Sequence, residues 1–111
     1  MKTSSTTPQT FTPKWNGNQD LPESEQIRAT VKFPTGKEYE AFDLGPGRMP
    51  KQTALVEAFT PSIENYEHNG VPITNGAELV QCDAKDVYGL VTEIFLYLWK
   101  GITLGEEREK N

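Results

Sequence analysis

Residues that carry chemistry are scarce in this chain: Cys82 is the only cysteine and His68 the only histidine among 111 residues. A lone cysteine excludes an internal disulfide and any multi-cysteine metal site, and it suits a reducing compartment. Apolar residues are also few. Their share of 35% lies below the ~45–50% of globular domains, a figure that also counts glycine, so part of the chain is expected as tail or loop. No stretch approaches the ~20 apolar residues of a membrane span, and Met1 to Thr12 holds no apolar run behind its single lysine. Neither a membrane partner nor an export signal is therefore expected. Basic clusters are missing as well: lysine and arginine are scattered singly through a chain of net charge −5. That leaves no electrostatic footprint for nucleic acid.

The length suits one domain with one modest core, which at this size buries roughly two thirds of the surface of the unfolded chain. Residues 1–10 are small and polar and include Pro8, so they bury too little to offset the entropy of ordering. The next stretch bends at Asn16-Gly17 and is restricted before Pro13 and Pro22, although Phe11, Trp15 and Leu21 can pin it down. The division expected is an extended N-terminal arm over 1–24 and a single α+β domain over 25–111.

Residues 27–33 alternate apolar and polar and are rich in β-branched types, which predicts a half-buried strand. Thr35 and Glu38 stand at capping-box spacing and favour a short helix over 35–42, with a second strand through Tyr39 and Ala41 as the alternative. Gly45-Pro46-Gly47 forces a loop. Residues 53–67, interrupted by Pro61, read as an edge strand or a strand pair broken there. Asn69-Gly70 predicts a hairpin returning through Val71 to Ile73, and Thr74 or Asn75 can cap a short helix over 77–80.

The longest helix is expected over 84–100, entered at Asp83 and closed by Gly101. At 100° per residue Val87, Val91, Ile94 and Leu98 form one stripe that should dock on the sheet. Thr103 and Glu106 offer a further capping box for a short acidic helix over 104–110. The fold class expected is thus α+β, a small antiparallel sheet packed against a long C-terminal helix, with a flexible N-terminal arm.

Few side chains offer a catalytic constellation. His68 and Cys82, with Asp83 as orienter, are the one Cys-His combination, but His68 abuts the Asn69-Gly70 turn and reads as exposed, and an isolated cysteine is most often a small buried hydrophobe. The pairs Glu23/Glu25 and Glu38/Glu40, and Glu106-Glu107, read as solvated surface. Gly45-Pro46-Gly47-Arg48 lacks the spacing and context of a phosphate-binding loop and reads as a turn. No catalytic, cofactor or metal residue is assigned.

The helix over 84–100 is apolar almost all round in its last two turns. Either the small fold wraps it completely, or its surplus, with Tyr88, Phe95, Leu96 and Trp99 as partner-binding residues, marks a surface for a partner or for self-association.

The ordering of residues resembles the tail assembly chaperone-like proteins of tailed bacteriophages. The residues that carry this are Phe11, Pro13, Trp15, Gly17 and Asn18, then Leu21, Pro22, Glu25, Gln26 and Ile27, then Pro34 and Thr35. Further along come Ile63-Glu64-Asn65, Asn69-Gly70 and Glu78-Leu79, and at the end Leu104, Glu106, Glu107, Lys110 and Asn111. Gly36 and the heavy apolar run 95–99 depart from that pattern. The resemblance implies a small non-enzymatic protein of the host cytoplasm that coats the helical tape measure protein until tail tube subunits polymerise, with tape measure or tube as partner. A neck or tail-completion subunit retained in the virion is the alternative it leaves.

Overall fold

The computed structural model describes residues 8–42 and 50–103. Three short strands form an antiparallel sheet in the order β1-β2-β3, with β1 at Gln9–Phe11, β2 at Arg28–Val31 and β3 at Ser62–Glu64. The register pairs Phe11 with Ala29 and Ala29 with Ile63. β2 is central and alternates as its sequence predicts: Ala29 and Val31 point into the core while Arg28 and Thr30 lie at its margin. The helices are α1 at Gly36–Glu40, α2 at Gln52–Phe59, α3 at Gly76–Leu79 and α4 at Ala84–Thr103. A two-stranded hairpin, β4 at Glu67–His68 and β5 at Val71–Pro72, lies between β3 and α3. The α+β class, a small antiparallel sheet with a long C-terminal helix, is therefore seen.

Local chemistry explains most elements. Thr35 Oγ1 accepts the Glu38 N–H at 3.1 Å while Glu38 Oε1 accepts the Thr35 N–H at 2.9 Å, so the capping box forms and 35–42 opens as a helix. Asn69 and Gly70 both have positive φ, 54° and 78°, the conformation that a two-residue hairpin turn with the right twist demands. Asn75 Oδ1 caps α3 by accepting the Glu78 N–H at 2.8 Å.

Two expectations are corrected. The strand expected through 53–60 is helix α2, because Leu55, Val56 and Phe59 stand at helical spacing and all three are buried. Pro61 breaks the chain just after that helix, and the edge strand expected there follows as β3, Ser62–Glu64, with Glu67 opening β4. Nor does Gly101 close α4, which continues to Thr103. Instead its missing side chain admits the Phe33 ring, since a Cβ there would lie 2.0 Å from Phe33 Cε1. The acidic helix expected over 104–110, like Gly45-Pro46-Gly47, lies outside the described residues.

The N-terminal stretch also differs from an extended arm from residue 9 onward. β1 pairs with β2, and residues Trp15–Asp20 turn in 3₁₀ fashion with Asn18 only 2% exposed. The Asn18 side chain accepts the Ile27 N–H at 2.7 Å and donates to the carbonyls of Pro13 and Ile27 at 2.7 and 3.1 Å. One amide thus ties the loop to itself and to the entrance of β2, and this offsets an ordering cost that composition alone leaves unmet. Phe11 and Trp15 do pack on the core, whereas Leu21 stays exposed.

The core joins Ile27, Ala29 and Val31 to Leu55, Val56 and Phe59 of α2 and to Val87, Leu90, Val91, Ile94, Phe95 and Leu98 of α4. All four residues of the predicted stripe are in it. Replacing Asn18 with Ala should strand the Ile27 N–H in a dry site and cost about 2 kcal/mol of stability. Urea unfolding measures this, and an unchanged midpoint would show that Asn18 does not pin the loop.

Candidate functional site

Side chains on α4 divide into three zones around its axis. One faces the core. A second, the four-residue row Gly89, Glu93, Tyr97 and Gly101, is met by N-terminal chain and by Phe33. A Cβ on Gly89 would lie 2.7 Å from Trp15 Cδ1, so the indole rests directly on the helix. The Glu93 carboxylate accepts the Lys14 N–H, Tyr97 stacks on Phe11 with centroids 4.0 Å apart and planes 5° apart, and Tyr97 Oη donates to Gln9 Oε1 at 3.0 Å. The third zone faces outward at Tyr88 and Leu96; between them Thr92 is half-buried and its Oγ1 donates to Gln52 Oε1 of α2 at 3.1 Å.

The residues expected to bind a partner are split by this geometry. Tyr88 is 64% exposed and Leu96 42%, the two exposed large apolar side chains of α4. Phe95 is only 1% exposed. It therefore belongs to the core and not to a binding surface: at 100° per residue it stands about 20° from Tyr88 and about 40° from Val91, yet it packs in the core cluster with Val91, Ile94 and Leu98. Trp99 is half-buried and stacks on Phe95 at 6.1 Å and 12°. The surplus of apolar residues is thus mostly wrapped, with Tyr88 and Leu96 left outside.

Two cavities flank the outward row. The first, about 390 Å³, lies where the start of α2 meets the α3–α4 connection and the start of α4, with Lys51 and Gln52 on one wall and Cys82, Val87, Tyr88 and Val91 on the other. The second, about 330 Å³, lies between the N-terminal chain and the end of α4, with Phe11, Lys14, Glu93, Leu96 and Lys100 around it. Sequence reading assigned neither, since each needs residues far apart in the chain. A third, wider recess of about 480 Å³ beside β3 and the hairpin is lined by Glu25, Asn65, Tyr66 and Glu67 among others.

His68 is not exposed as its place beside the turn suggested. Its side chain is 15% exposed and its Nε2 lies 3.0 Å from Asp86 Oδ2, so it fastens the hairpin to α4. That partner is Asp86, one helical turn from the Asp83 considered as orienter. Cys82 Sγ donates to the Glu78 carbonyl at 3.6 Å. Burial pushes the Cys82 thiol up from its ordinary value, and the carboxylates of Asp83, Asp86 and Glu78 push it the same way. A nucleophilic cysteine needs the opposite surroundings. Burial likewise raises the Tyr66 hydroxyl, with Cys82 and Asp86 adding to it. Among the described residues no group of three His, Cys, Asp or Glu side chains is placed to hold a metal ion, and no helix is long and apolar enough to cross a membrane.

Set against known proteins, the chain matches no family model, no curated protein and no solved structure.

The thiol gives a pH test. Its raised value means that the folded chain holds this proton where the unfolded chain has begun to lose it, so stability is intact well below the ordinary value of 9.0 and falls as pH climbs through and above it. Replacing Cys82 with Ala should reduce that alkaline fall in urea midpoint, and alkylation by iodoacetamide near pH 8 should be slower in the folded than in the urea-unfolded chain. Equal rates in the two states would contradict the environment described.

Proposed function

We propose that this chain is a non-catalytic assembly chaperone of the tailed-phage kind, which holds a helical tape-measure-type partner in the host cytoplasm during tail morphogenesis. The observation that carries this reading is the outward row of α4, where Tyr88 and Leu96 stay exposed on a helix whose other large apolar side chains are wholly or partly buried. A fold this small gains nothing in stability from a tyrosine and a leucine held in water, whereas an amphipathic partner helix covering them buries apolar area on both sides. The site chemistry supports binding over catalysis: the one thiol is held protonated, and the one histidine is paired with Asp86 as a structural tie.

The residues that carry the phage resemblance also have structural work here. Pro13, Asn18 and Ile27 form the hydrogen-bonded knot at the start of β2, and Trp15 lies on Gly89.

Co-expression with the tape measure protein of the same phage is the direct test. The two should co-purify, and mass spectrometry of finished particles should find this chain absent. Presence in particles at stoichiometric copy number would instead make it a retained neck or tail-completion subunit, and failure to co-purify with either tape measure or tube protein would defeat the proposal.

A further inference from the structure

We draw no further inference here: the strongest candidate, the apolar cavity where the start of α2 meets the α3–α4 connection and the start of α4, carries none, because nothing in the structure shows what covers it, with Lys51 on its wall offset by the carboxylates of Glu78, Asp83 and Asp86 around Cys82 and Gln52 already bonded to Thr92.

Discussion

The Trp15 indole lies against the bare backbone of Gly89, the Lys14 amide donates to Glu93, and the Phe11 ring stacks on Tyr97. These three contacts climb one flank of α4 in steps of four residues and fix where everything else can go. They bring β1 alongside β2 and so complete the sheet, and they place the Asn18 knot at the entrance of the central strand. They also cover part of a flank of α4 that would otherwise face water, leaving Glu93, Tyr97 and Gly101 half-buried. A helix with six buried apolar residues needs cover on several sides, and a three-stranded sheet of such short strands is too narrow to supply it alone.

With the sheet and α2 on the core side and the N-terminal chain along one flank, a single face of α4 is left for other work. The hairpin contributes by tying its own end to Asp86 through His68. What stays outside is Tyr88 and Leu96, flanked by two cavities. The site is therefore a remainder defined by packing: its position follows from which flanks of α4 the rest of the chain has already taken.

Much of this was legible in the residues. The alternation of β2, the capping box at Thr35, the Asn69-Gly70 hairpin, the Asn75 cap and the buried stripe of α4 all rest on local chemistry, and each is where that chemistry puts it. The failures share a cause. Helix α2 was obscured because Pro61 draws attention to a strand break while Leu55, Val56 and Phe59 carry the helical period only over two turns. Residues 9–20 looked like an arm because their low apolar content hides how much one buried amide and two aromatic rings secure. Gly101 has the right type for a helix stop, yet it serves close approach of Phe33, a contact between residues 68 positions apart. Of the residues expected to bind a partner, Tyr88 and Leu96 are separable from Phe95 only once the direction of the core is known. The spacing of Gly89, Glu93, Tyr97 and Gly101 was the available signal for the N-terminal seam, since small and aromatic residues in a row of four suit a chain lying alongside.

Hydrogen exchange along the N-terminal stretch tests the central claim most directly. If the seam holds the fold together, the Lys14 amide and the paired amides of β1 should open with the same free energy as the interior amides of α4, because neither can be released without the other. Exchange of residues 9–14 at the rate of a free peptide, with α4 still fully protected, would contradict it.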